Sequence, residues 1–145
     1  MKALNHYSSR VHSVSDHSLW KNSLHRKVKF LDPPSAPDAP NIDEIFATKC
    51  RVQWSPPSSD GGSPITGYFV ERHLQGASRW SKVNKLLTAA DVTQLIAEEL
   101  VEGSEYEFRV IACNKVGQSE PSAPSRTIVA RNPFGMLIIV RLNCV

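Results

Sequence analysis

The stretch that decides the fold runs from Leu100 to Asn114 and reads Leu-Val-Glu-Gly-Ser-Glu-Tyr-Glu-Phe-Arg-Val-Ile-Ala-Cys-Asn. After a turn at Gly103, large residues alternate with mostly polar ones, which is typical of a strand with one face on a core and the other in water. Tyr106 suits a tyrosine corner, in which the ring packs inward and the hydroxyl bonds to backbone just upstream. The inward set is expected to be Tyr106, Phe108, Val110 and Ala112, and the outward set Glu107, Arg109, Ile111 and Cys113.

Six further segments carry strand patterns bounded by turn residues. In the clearest one, Cys50, Val52 and Trp54 alternate with polar residues before two prolines end the pattern. The first predicted strand starts at the edge prolines Pro37 and Pro40 and continues through 41–46, and the others are 49–54, 65–73, 79–83, 92–96, 105–114 and 125–130. They predict an all-β fold, a seven-stranded antiparallel β-sandwich of about 100 residues. The expected structural core is Val52, Trp54, Tyr68, Val70, Leu100, Tyr106, Phe108 and Val110.

The charge is distributed unevenly between the tails and the folded part. We expect an irregular basic tail at 1–32, a folded domain at 33–132 and an apolar tail outside it at 133–145. The first 30 residues hold six Lys or Arg and one Asp, a net charge of +5, whereas the rest carries −2. Basic residues therefore do not cluster on a folded face with aromatic or helical readers, and no nucleic-acid partner is expected. Five apolar residues precede Arg141, far short of the ~20 of a membrane helix, so no membrane partner is expected either.

The cysteines and histidines offer no pattern for chemistry. Cys50, Cys113 and Cys144 lack C-x-x-C spacing, so we expect free thiols. Four histidines in the first 26 residues are 6, 5 and 8 positions apart, gaps that fit no zinc pattern. No serine or aspartate has the histidine neighbour that a nucleophile needs, and Gly61-Gly62 lacks the spacing of a phosphate loop. The sequence predicts no enzyme, no cofactor, no metal and no small-molecule substrate.

The position of the tryptophan separates two kinds of sandwich. An immunoglobulin domain carries it on the third strand, with a cysteine two residues after the corner tyrosine. Here Trp54 lies on the predicted second strand and Phe108 follows Tyr106 by two, which leaves Cys50 without a partner for an inter-sheet disulfide. This layout resembles the fibronectin type III domain, within the immunoglobulin-like sandwiches. The resemblance is carried by Pro40, Trp54-Ser-Pro-Pro57, Gly67-Tyr68, Trp80, Leu100, Gly103, Tyr106 and Asn114-Lys-Val-Gly117.

Residues that the fold does not require narrow the resemblance to the type III repeats of the giant muscle proteins titin and twitchin. They are Asp60 to Tyr68, Tyr106 to Val110, Asn114 to Gly117 and Pro124 to Pro133. The resemblance implies a non-catalytic structural and interaction module of a cytoplasmic, sarcomeric scaffold, bearing tension and spacing or binding thick-filament components. The stretch 28–34 is similar to the last strand of an upstream immunoglobulin module, and residues 135–145 depart from the family where a linker to the next module would begin, so both termini are expected to be boundaries of a fragment.

The same resemblance implies partners: neighbouring immunoglobulin and fibronectin modules, and the myosin thick filament. Candidate contacts with acidic stretches of such partners are Arg72, Arg79, Lys82 and Lys85 on the predicted third and fourth strands and the loop that follows. One alternative is a fragment of a cell-surface adhesion receptor ectodomain, which would need a signal sequence and a membrane span. Another is that a full-length parent also carries a kinase domain, no part of which lies in this chain.

Overall fold

Within residues 29–133, the part of the chain that the computed structural model describes, seven strands form two facing antiparallel sheets, all in the unit that begins at Leu31. The strands are β1 (Asn41–Asp43), β2 (Cys50–Gln53), β3 (Gly67–Leu74), β4 (Ser81–Lys82), β5 (Gln94–Ala97), β6 (Glu105–Cys113) and β7 (Ile128–Val129). One sheet has the order β1-β2-β5 and the other the order β4-β3-β6-β7. The predicted all-β sandwich is confirmed.

The core lies between the sheets, where alternate side chains of β2, β3 and β6 meet. Val52, Val70 and Val110 are 0% exposed, one from each of these strands. Trp54, just after β2, meets Tyr68 edge-on with ring centroids 5.4 Å apart, a favourable geometry for aromatic pairs. Burial of each large side chain contributes about 1.5–3 kcal/mol. The cluster also contains Ile42, Cys50, Ala97, Leu100, Tyr106, Phe108, Ala112, Ile128 and Ala130.

The tyrosine corner is present at the start of β6. The Tyr106 hydroxyl accepts a hydrogen bond of 2.9 Å from the backbone N–H of Val101. Gly103 has φ +83°, a conformation that glycine adopts without steric cost and that lets the chain reverse into the strand. The corner therefore ties the loop before β6 to the core through one side chain.

All seven strands are shorter in the structure than in the sequence pattern, and three of them are shorter by three residues or more. The first stops at Asp43 because Glu44 has φ +47° and leaves the extended conformation. The fourth keeps only Ser81–Lys82. The seventh keeps only Ile128–Val129, because the residues before it pair with β6 in another way, described below. Apolar alternation thus located the strands but not their ends.

The expectation that Ile111 and Cys113 face outward to solvent is wrong. Both are buried, with 7% and 4% exposure. Ile111 stands opposite Phe69 on β3, and Cys113 is flanked by Gly67 of β3 on one side and a bridge to Gln118 on the other. At this end β6 has a bonded neighbour along each edge. Its outward side chains therefore lie between those of two neighbouring segments and are shielded from water as well.

The chain after β6 returns along its edge through three serines. Ser119, Ser122 and Ser125 each donate their backbone N–H to a β6 carbonyl, at Ala112, Val110 and Phe108. In return, each serine hydroxyl accepts the N–H of the same β6 residue at 2.9–3.0 Å. We call residues 119–125 the serine seam. It occupies the edge of β6 before β7 begins.

Candidate functional site

The described thiols are unsuited to nucleophilic chemistry. Cys50 and Cys113 are free and buried. Burial raises the pKa of Cys50 to about 11, and burial also raises the pKa of Cys113, so both remain protonated thiols at neutral pH. Among residues 29–133, no three His, Cys, Asp or Glu side chains are placed to hold a metal ion. The same range contains no helix long and apolar enough to span a bilayer.

Aromatic and charged side chains interlock on the solvent side of the four-stranded sheet. Lys82 places its Nζ 3.8 Å from the centroid of the Phe69 ring. Arg109 lies over Trp80, with Cζ 4.4 Å from the ring centroid, and donates from Nε to Glu71 at 2.6 Å. Such cation–π contacts contribute about 0.5–1 kcal/mol at exposed sites. We call these five residues the outer face.

The four predicted contact residues do not share one surface. Lys82 lies on the outer face, and Arg79 and Lys85 are exposed beside it in the chain. Arg72 lies on the opposite side of β3, because side chains alternate along a strand. Its Nη1 donates to the Glu98 carbonyl at 2.7 Å, and its Cζ is 6.0 Å from the Tyr106 ring.

Sequence reasoning missed Arg109 as a member of the outer face. Its guanidinium is held between the carboxylate of Glu71 and the indole of Trp80, so its position is fixed by two neighbours. The role of Arg109 depends on the register of the two long strands, in which Glu71 stands opposite Arg109. That register becomes visible only when the ladder between β3 and β6 is known.

The solvent side of the three-stranded sheet carries a self-contained polar cluster. Arg51 donates to Asp43 through two nitrogens, at 2.8 and 2.9 Å, and Gln53 donates to the same carboxylate at 2.7 Å. The hydrogen bond from Arg51 lowers the pKa of Asp43, and that from Asp43 raises the pKa of Arg51. Glu44 also lies 3.3 Å from Arg51, so the cluster holds two carboxylates against one guanidinium and lacks the free positive charge that Lys82 gives the other side.

The chain enters the module beside the Cys113 end of β6, where the side chain of Asn114 holds it in what we call the asparagine clamp. Asn114 donates from Nδ2 to the carbonyls of Asp32 and Asp60, both at 2.8 Å. The Asp32 N–H donates to the Gly61 carbonyl at 2.8 Å, and a Cβ on Gly61 would collide with the Asp32 carbonyl oxygen. We call this end the incoming pole. Asn114 is 6% exposed, so the clamp is shielded from water.

The chain leaves at the other end of β6. Ala130 donates to Ser104 at 3.0 Å and accepts from Gly103 at 2.7 Å, next to the start of β6. Asn132 then accepts from the N–H of Ala47 at 3.0 Å. We call this end the outgoing pole. β6 has nine residues and rises about 3.3 Å per residue, so the two poles are separated by the length of the longest strand.

A two-sheet sandwich with a tyrosine corner, a core tryptophan after the second strand and a Ser-Pro return along β6 defines a module of the fibronectin type III class. The family profile described as "Fibronectin type III domain" matches residues 35–128, and the chain belongs to this family. The fibronectin type III domain is a structural module, and the homologous domains of myosin-binding protein C are non-enzymatic.

Among curated proteins, the chain is 43% identical to human slow-type myosin-binding protein C over 103 residues, or 71% of this chain. Among solved structures, titin domains A168–A170 match with a TM-score of 0.64 and 36% identity, covering 70% of this chain and 33% of that one. The Caenorhabditis elegans twitchin kinase region matches with a TM-score of 0.62 and 34% identity, covering 69% of this chain and 17% of that one. The resemblance to titin and twitchin repeats is confirmed, and the myosin-binding proteins are relatives that the sequence patterns had not named. The chain spans about 9% of the length of the slow-type protein.

Proposed function

We propose that this chain supplies one module of a cytoplasmic, sarcomeric scaffold, which bears tension and contacts neighbouring modules and the myosin thick filament. Homology to myosin-binding protein C, titin and twitchin supports the proposal. The observation that carries it is the placement of the incoming and outgoing poles at opposite ends of β6. A module anchored in this way fits between two others in series. We take residues 33–132 as the module, with 133–145 outside it.

The outer face and its two basic neighbours are the proposed contact surface. Arg79, Lys82 and Lys85 are exposed. Arg109 is paired with Glu71 and therefore contributes shape and apolar area more than net charge. A positive patch next to half-buried aromatic rings fits an acidic, partly apolar stretch of a filament protein. Arg72 is left out of this surface, because its guanidinium is bonded to Glu98 on the other side of β3.

The direct test is cosedimentation of the chain with myosin filaments. Arg79→Glu combined with Lys82→Glu should weaken binding roughly five- to tenfold, since each exposed charge pair contributes up to about 1 kcal/mol. Lys49→Glu is the matched control for Lys82→Glu alone, an exposed lysine before β2 on the other sheet, and should leave binding unchanged. Binding should also weaken as salt rises, because exposed charges are screened.

Two outcomes would contradict the myosin-binding part of the proposal. One is the absence of sedimentation with myosin above that of an unrelated sandwich domain. The other is an equal loss of binding in the Arg79→Glu, Lys82→Glu variant and in the Lys49→Glu control. A fluorescently tagged chain expressed in muscle cells should also collect in the myofibril in register with myosin, and a uniform distribution would argue against the sarcomeric assignment.

A further inference from the structure

The serine seam joins the last part of the module to β6 by three repeated two-bond rings. At Ser122, for example, the backbone N–H donates to the Val110 carbonyl at 2.9 Å, and the hydroxyl accepts the Val110 N–H at 2.9 Å. The same ring recurs at Ser119 with Ala112 and at Ser125 with Phe108. The hydroxyl replaces the carbonyl that a regular neighbouring strand would supply.

The seam has a period of three, whereas β6 has a period of two. Ser119, Ser122 and Ser125 are three residues apart, while their partners on β6 are two apart. Each repeat therefore holds one extra residue, as a β-bulge does. Pro121 and Pro124 lie in these repeats, and because proline has no N–H they leave the outer edge of the seam poor in donors.

All six seam bonds are protected from water. The three serines are 5–7% exposed, and their β6 partners are 0% exposed. A hydrogen bond in such surroundings is stronger than one in water, and breaking it leaves a buried N–H without a partner. By contrast, β7 contributes only two residue pairs, Glu105 with Val129 and Tyr106 with Ile128.

The direction of the chain determines how these bonds are loaded. The seam and β7 run from the Cys113 end of β6 to its Glu105 end, and the chain leaves the module there. Tension between the two poles therefore pulls this segment along β6. Ladder bonds lie perpendicular to the strands, so all six are loaded together in shear and not one after another.

We propose that the serine seam is the element that sets the lifetime of this module under tension. The inference rests on the proposed tension-bearing function and names the residues that carry it. Under load, the seam separates before the core opens, and its six buried bonds form the barrier. Forced unfolding is governed by the unfolding rate, so the seam acts on lifetime directly.

The test is single-molecule unfolding of the full chain held by its two termini, at constant force. Ser122→Ala removes the acceptor of the Val110 N–H and should shorten the lifetime roughly tenfold, because a bond already broken in the transition state contributes its whole loss to the unfolding rate. Val52→Ala is the control: it lowers equilibrium stability from β2, a strand that is still packed when the seam separates. For the same loss of unfolding free energy in denaturant, Val52→Ala should therefore shorten the lifetime under load much less than Ser122→Ala does.

A change of pulling direction tests the same inference without altering the seam. With handles at Glu102→Cys and the C-terminus, in a Cys144→Ser background, both points of force lie at the outgoing end of β6. The seam is then peeled bond by bond, and the module should open much faster at the same force than when held by its two termini.

Equal lifetimes in the two pulling directions, or equal shortening by Ser122→Ala and Val52→Ala, would overturn the inference. If Ser122→Ala does not fold, Ser119→Ala removes the ring at the other end of the seam and takes its place. If the lifetimes under force contradict the inference, the cosedimentation test of myosin binding is unaffected. If the chain does not cosediment with myosin but its lifetimes follow the inference, only the myosin-binding part of the proposed function is removed.

Discussion

The first and the last segment of the module each close a two-bond hydrogen-bonded ring through a serine, but in different surroundings. We call residues 32–43 the incoming edge and 119–129 the outgoing edge. On the incoming edge, Ser35 donates its N–H to the Ser59 carbonyl and its hydroxyl accepts the Ser59 N–H, both at 3.0 Å. This is the ring that Ser122 forms with Val110, but here it is open to solvent.

Water decides what each ring contributes. An exposed ring can exchange its bonds for bonds to water at little net cost, while a buried ring leaves an unpaired N–H when it opens. The incoming edge therefore relies on point anchors, such as the clamp at Asn114 and the short β1. The outgoing edge is a continuous bonded seam. For a single ring the hydrogen-bond pattern is the same at both edges, and what differs is burial.

The largest expected effect comes from the core beneath both edges. Trp54→Ala should lower the free energy of unfolding by about 3–5 kcal/mol, because it leaves a cavity between the sheets. Urea unfolding measures the loss, and Trp80→Ala, a half-buried tryptophan on the outer face, is the matched control with a smaller expected effect. An unchanged denaturant midpoint for Trp54→Ala would show that the two edges do not share this core.

The comparison of the two rings is tested directly by a pair of alanine variants. Ser122→Ala should lower the free energy of unfolding by about 1–3 kcal/mol, since the Val110 N–H loses its partner in a buried site. Ser35→Ala should change it by less than about 0.5 kcal/mol, as is usual for exposed positions. Amide hydrogen exchange at Val110 and Ser59 reports each ring separately. Equal losses in the two variants would break the comparison.

The clamp at the incoming pole is tested by two glycines that share a backbone conformation. Gly61 has φ +76° and Gly76 has φ +90°, so alanine at either position costs about 1 kcal/mol in the left-handed region. Only at Gly61 would the new Cβ also meet a backbone oxygen, that of Asp32. Gly61→Ala should therefore destabilise by about 1 kcal/mol more than Gly76→Ala. It should also raise amide exchange at Asp32 but not at Val110, and exchange that rises equally at both amides would contradict separate anchoring of the edges.

The smallest expected effect is a pH dependence confined to the incoming edge. The pKa of Asp43 on β1 is lowered by its hydrogen bond from Arg51, so this carboxylate stabilises the fold above its unfolded pKa of about 3.8. That contribution is lost as pH falls through the lower, folded value. NMR titration between pH 5 and 2 should show β1 loosening first, because the seam itself contains only one acidic residue, the exposed Glu120. In Asp43→Asn this pH dependence of β1 should disappear.

Much of the fold could be predicted from local sequence. Alternation at Cys50, Val52 and Trp54, and along the start of β6, marks the strands because a period of two places every second side chain on one face. The turn glycine and Tyr106 predicted the corner, since both act within a few residues of each other in the chain. Apolar alternation and turn geometry depend on residues close together in the chain, so they can be recognised from the sequence alone.

The candidate surfaces depended on distant neighbours. Lys82 and Arg72 are both basic residues of predicted strands, and the sequence does not distinguish them. In the structure, Lys82 lies over Phe69 on the solvent side of the sheet. Arg72 lies on the opposite side of β3 and donates to the Glu98 carbonyl. Arg109 acquires its role only from the register that places Glu71 beside it. A residue's side of a sheet can be counted along a strand, but its partner on the next strand cannot.

The sequence by itself determined that this chain is a sandwich with a given core, because the apolar period and the corner residues act over short distances. Only the tertiary structure decided that three serines at a spacing of three would close rings with residues 7–17 positions earlier. A hydroxyl beside proline predicts a turn as readily as a bond to a strand. The difference is made by the edge of β6, whose buried N–H groups must find acceptors once the sheets have packed.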